Sequence, residues 1–118
     1  TLFWMEIDRG TKGLEDTFRQ VQKYVLAGMT IRLRRPPLTL WVIADSRGNH
    51  LQRVQQIVEE TEKAFSMHPG SRTVLAITDV ESVNGTKVDE IINKEIWRLI
   101  SSSNPVGHAV SLASIFEE

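Results

Sequence analysis

The sequence predicts one α/β domain built on a central parallel or mixed sheet flanked by helices. Three observations predict it. Residues 2–8, 38–45 and 73–79 read as strands, and the last two are nearly continuous apolar runs, as in strands covered on both faces. Two stretches between them repeat apolar residues at helical steps of three and four. The order strand, helix, strand, helix, strand then implies parallel strands joined by right-handed crossovers.

The first strand carries "FWMEID", whose alternation puts Trp4, Glu6 and Asp8 on one face and Met5 and Ile7 on the other. Gly10 and Gly13 mark its exit. The first helix follows, with a core stripe at Leu14, Phe18, Val21 and Val25. "RRPP", Arg34 to Pro37, ends that crossover, because proline cannot continue a helix. Leu51, Val54, Ile57, Val58 and Phe65 mark the second helix, which His68-Pro69-Gly70-Ser71 ends. After Asp79 two patterns compete. Val88, Ile92, Ile96 and Leu99 fit a helix, while residues 95–100 fit a short strand. Residues 101–107 read as a turn-rich loop, and the tail beyond is weakly patterned.

The 118 residues suit one domain, residues 1–118, with one moderate core. Apolar content of 41% and charged content of 25% are those of an ordinary globular chain. No apolar run approaches the ~20 residues of a membrane span, and no signal pattern is visible. The absence of cysteine excludes disulfides and thiolate metal sites and fits a cytoplasmic protein. The chain opens on Thr1, which suggests a piece of a longer protein. A net charge of −1 excludes a domain-wide basic field for nucleic acid.

Glu6 and Asp8 pose the chemical question. Two carboxylates on one covered face repel each other and resist desolvation. A divalent cation resolves both, and Mg²⁺ favours one or two carboxylates with water and phosphate oxygens. The plainer alternatives are an edge position facing water, or Asp8 capping the next helix. Gln20 and Tyr24 lie four apart beside the core stripe, placed to reach the same face, whereas Lys23 falls on the solvent side. All three strands end in aspartate, at Asp8, Asp45 and Asp79. Such a rim at the carboxyl edge suits a ligand, although such residues more often start turns or cap helices. Arg32, Arg34 and Arg35 form the only dense basic cluster, suited to phosphate contact or to a solvated loop. Glu59, Glu60 and Glu62 form an opposing acidic patch. His50, His68 and His108 share no metal-ligand spacing, and Trp4, Trp41 and Trp97 read as core.

"MEIDRGT", then "QVQKY" (Gln20 to Tyr24), then "LWVIAD" and later Ile96-Trp97-Arg98 resemble the replication-relaxation family of plasmid and mobile-element proteins. The resemblance covers most of residues 2–100 and is sharpest in the first 24. It implies an N-terminal winged-helix DNA-binding region followed by a C-terminal domain like the PD-(D/E)XK nucleases, to which this chain would correspond. Gln20-x-x-x-Tyr24 is similar to the Gln-x-x-x-Tyr helix of exonucleases in that superfamily. Glu6, Asp8, Gln20 and Tyr24 would then be the catalytic set, with Glu6 and Asp8 holding Mg²⁺. The pattern departs in two places. It asks for an aspartate on a preceding hairpin strand, and for a lysine two residues after the strand acid, where this chain has Asp8. Family members often carry lysine at the position of Gln20.

The expected fold is thus restriction-endonuclease-like, with a flavodoxin-like three-layer arrangement as the alternative. The expected function is a DNA-associated, nuclease-like domain of a plasmid replication or mobilisation protein, accessory or catalytically degenerate. It would reach DNA mainly through the N-terminal region and through Arg32, Arg34 and Arg35. The alternative is a non-catalytic interaction or dimerisation module, contacting a second copy through an unpaired edge strand.

Overall fold

The three apolar runs lie side by side as parallel strands, β1 (Phe3–Asp8), β2 (Leu38–Ile43) and β3 (Val74–Asp79). The computed structural model describes residues 3–10, 13–31, 36–44 and 48–116. β4 (Trp97–Ser101) runs antiparallel to β3, and β5 (Asn104–Val110) antiparallel to β4, so the five-stranded sheet is mixed in the order β1-β2-β3-β4-β5. Residues 95–100 therefore take the strand reading. The competing helix does not form: Val88 lies in a 3-10 turn (Val88–Glu90), and Val88 and Ile92 are exposed. β5 corrects the loop expected over 101–107. Pro105 lacks an amide hydrogen and Gly107 stands at a positive φ of 85°, both features of an edge strand rather than a central one.

The long helices α1 (Leu14–Thr30) and α2 (His50–Met67) pack against each other on one sheet face. Val21 and Val25 of α1 and Ile57, Val58, Ala64 and Phe65 of α2 enclose a core with Trp41, Ile43, Leu75, Ile77 and Ile100. Burying these side chains supplies the main drive for folding, about 25 cal/mol per Å² of apolar surface removed from water. α2 is turned slightly from the expected stripe. Leu51 points to solvent, and Arg53, Ile57, Thr61 and Ala64 occupy the inward positions at steps of four, four and three.

The opposite face is thinner. Leu38, Leu40, Ala76, Trp97 and Val110 form a second cluster, against which Ile96, Leu112 and Ile115 pack. The last two belong to the five-residue helix α4 (Leu112–Phe116), tied back by the Ala113 amide donating to the Ile92 carbonyl. A flavodoxin-like arrangement puts long helices on both faces; here both stand on one. At the β1 edge the Phe116 ring meets Phe3 edge-on at 5.9 Å, and Phe3, Met5 and Ile7 stay about half exposed.

Candidate functional site

The alternation of β1 turns Glu6 and Asp8 toward α1 and α2, and each acid meets a different helix. The Tyr24 hydroxyl donates to Glu6 Oε2 at 2.8 Å, and the Gln20 amide donates to the same oxygen at 3.2 Å. Gln20 Nε2 also lies 3.3 Å from the Tyr24 oxygen, so the four-residue spacing on α1 brings both side chains onto one carboxylate. The Tyr24 ring sits between Trp4 and Trp41, at centroid distances of 5.7 and 6.0 Å. Burial raises the Tyr24 pKa above the ordinary phenol value, and the hydrogen bond to Glu6 adds to the rise. Tyr24 is thus held as a protonated donor. Lys23, as expected, is exposed.

Asp8 is buried and fully engaged. The Gly10 amide donates to Oδ1 at 2.7 Å, closing a turn directly after β1. Oδ2 accepts from Trp41 Nε1 at 3.3 Å and from Arg53 Nε at 3.1 Å, and Arg53 Nη2 lies 3.0 Å from it as an ion pair. Three N–H groups donate to this carboxylate, one to Oδ1 and two to Oδ2. Asp8 is 6% exposed and Arg53 5%. Arg53 Nη2 also donates to Thr17 Oγ1 at 2.8 Å, and Nη1 to Gln56 at 3.2 Å. One guanidinium therefore joins β1, α1 and α2.

This geometry bears on metal binding. A cation at Asp8 would have to displace Arg53 or sit against its positive charge. Arg53 itself supplies the opposite charge for Asp8. Sequence reasoning missed Arg53, because one arginine in a helix rich in polar residues reads as solvated. The available signal was its place four residues before Ile57 and eight before Thr61, on the inward stripe.

The other candidates scatter. Arg32, Arg34, Arg35 and Asp45 lie outside the described residues. Asp79 caps the short helix α3 (Val80–Asn84), accepting from the Ser82 amide at 3.4 Å and from the Ser82 hydroxyl. Trp41 and Trp97 are core residues, as expected, and Trp4 is half-buried. Glu60 leaves the expected acidic patch. Its carboxylate is buried on α2 and takes Lys63 Nζ at 3.2 Å, while Glu59 and Glu62 remain exposed. No protein-family model, curated protein or solved structure matches the chain.

Proposed function

We propose that this chain is a catalytically silent, nuclease-like domain that serves a DNA-processing protein as an accessory part. The observation that carries the reading is the buried Asp8–Arg53 pair at 3.0 Å. It fills the place where a metal-dependent nuclease would need open carboxylate oxygens for Mg²⁺, and an unblocked metal is what polarises the scissile phosphate and activates water. The resemblance to replication-relaxation proteins supports the DNA setting. The mixed sheet flanked by helices and the contact of Gln20 and Tyr24 with Glu6 are compatible with a restriction-endonuclease-like ancestry. In this reading Glu6, Gln20 and Tyr24 are a preserved scaffold rather than a working centre.

The test is cleavage of supercoiled plasmid with Mg²⁺ or Mn²⁺. The reading expects no cleavage above the protein-free control. Robust metal-dependent cleavage, abolished by Glu6→Ala, overturns it. DNA contact is tested separately by anisotropy titration of duplex DNA at two salt concentrations. With 14 basic against 15 acidic residues, the chain alone should bind weakly and lose binding as salt rises.

A second reading has its own observation. β1 is a sheet edge whose outer side carries Phe3, Met5 and Ile7 at 48, 57 and 52% exposure. An exposed apolar edge strand is a template for pairing with another chain. A homodimer through β1 would show as a doubled mass in sedimentation equilibrium, and Met5→Lys would return it to a monomer.

A further inference from the structure

A different group of side chains converges at the carboxyl edge of β3. His50 opens α2, Asp79 ends β3, and Glu81 stands in α3. His50 Nδ1 lies 3.0 Å from Glu81 Oε2 and 3.6 Å from Asp79 Oδ2. One ligand atom from each of the three falls within 4.8 Å of the others, and no other such group occurs among the described residues. These residues line an open cavity of about 560 Å³, shared with Asn49, Gln52 and Ser82. The carboxyl edge is where open α/β sheets place their ligands.

We propose that His50, Asp79 and Glu81 form a binding site for a divalent cation of the zinc class. Metal–ligand bonds near 2.0–2.2 Å at tetrahedral angles put ligand atoms about 3.4 Å apart; the two separations from His50 are 3.0 and 3.6 Å, and the one between the carboxylates is within 4.8 Å. The donor set is one imidazole nitrogen and two carboxylates. Imidazole suits Zn²⁺, whereas Mg²⁺ prefers all-oxygen shells with several waters. Two of the donors are preset: the side chains of His50 and Asp79 are only 14% and 17% exposed, and Ser82 holds the Asp79 carboxylate through its amide and hydroxyl. Glu81 is 78% exposed, and its carboxylate lies 3.0 Å from His50 Nδ1. One effect opposes the cation. The N-terminus of α2 carries about half a positive charge, but two full negative charges outweigh it. A zinc shell with three protein ligands takes water or a small anionic group as its fourth. The site is separate from Glu6 and Asp8, so it stands or falls independently of the proposed function.

The experiment is calorimetric titration of tag-free, chelator-stripped protein with Zn²⁺. The expected result is one Zn²⁺ per chain, unaffected by excess Mg²⁺. Affinity should fall by about tenfold or more in both His50→Ala and Glu81→Gln, while His108→Ala binds like the parent. Glu81 is exposed, so Glu81→Gln keeps the test valid if His50→Ala fails to fold. Co²⁺ in place of Zn²⁺ should give visible absorption of a tetrahedral ion, lost in Glu81→Gln. Absence of Zn²⁺ binding, or equal binding by the parent and Glu81→Gln, overturns the proposal.

Discussion

Asp8 and Arg53 show how a buried pair can be costly to break yet dispensable as a pair. Removing one partner strands a charge out of water. Arg53→Met should therefore cost about 3–5 kcal/mol of stability. Replacing both, as Asp8→Asn with Arg53→Met, should recover much of that loss, because no buried charge remains. Urea denaturation of the two single variants and the double variant measures the coupling; additive losses would show that the pair does not act as a unit. Tyr24 permits a second test, since it is the only tyrosine. Absorbance near 295 nm should show it ionising above the ordinary phenol value in the folded protein. The unfolded chain then gives up this proton first as pH rises. The contribution to stability is intact below about pH 10 and is lost as pH climbs through the folded value. Glu6→Gln should lower the folded value yet leave it raised, because burial is the largest cause. Much of this was legible at the residue scale where geometry is local. Period two on β1 and a four-residue step on α1 were enough to bring Glu6, Gln20 and Tyr24 together. Arg53 was not legible, because its partner lies 45 residues away and only tertiary packing turns it inward.

At the scale of elements, the parallel half of the sheet was readable, β4 was one of two open alternatives, and β5 was not readable. Strands β1 to β3 are apolar runs bounded by breakers, and their helices repeat with clear periods. β4 is only five residues long, and β5 contains Pro105 and Gly107, which ordinarily argue against a strand. Its pairing comes from the hairpin with β4, in which Leu99 faces His108 and Trp97 faces Val110. The seat of α1 was likewise invisible in sequence. Gly28 is buried where α1 crosses residues 71–73, and a Cβ there would collide with the Thr73 backbone nitrogen and the Ser71 hydroxyl. Both hydroxyls already bind α1 carbonyls at 2.6 Å, Ser71 to Val25 and Thr73 to Tyr24. Gly28→Ala gains about 0.5–1 kcal/mol of helix preference but should lose about 1–3 kcal/mol or more to overpacking. A net fall in melting temperature is expected; a rise would mean that the helix shifts without penalty.

Across the whole molecule, the charge balance and the open β1 edge bear on partners, while the Arg53 contact bears on chemistry. No helix among the described residues is long and apolar enough to cross a membrane. The two long helices pack on one face of the sheet, where Asp8 is buried and Glu6 half-buried. Arg53 balances the charge of Asp8 across a 3.0 Å ion pair. The most direct measurement is the nitrogen–proton NMR spectrum of the Trp41 indole and the Arg53 Nε–H, both of which donate to Asp8 Oδ2. Titration with millimolar Mg²⁺ should leave these two resonances in place, while Asp8→Asn shifts both. A saturable Mg²⁺-induced shift of the two signals, absent in Asp8→Asn, would contradict the account.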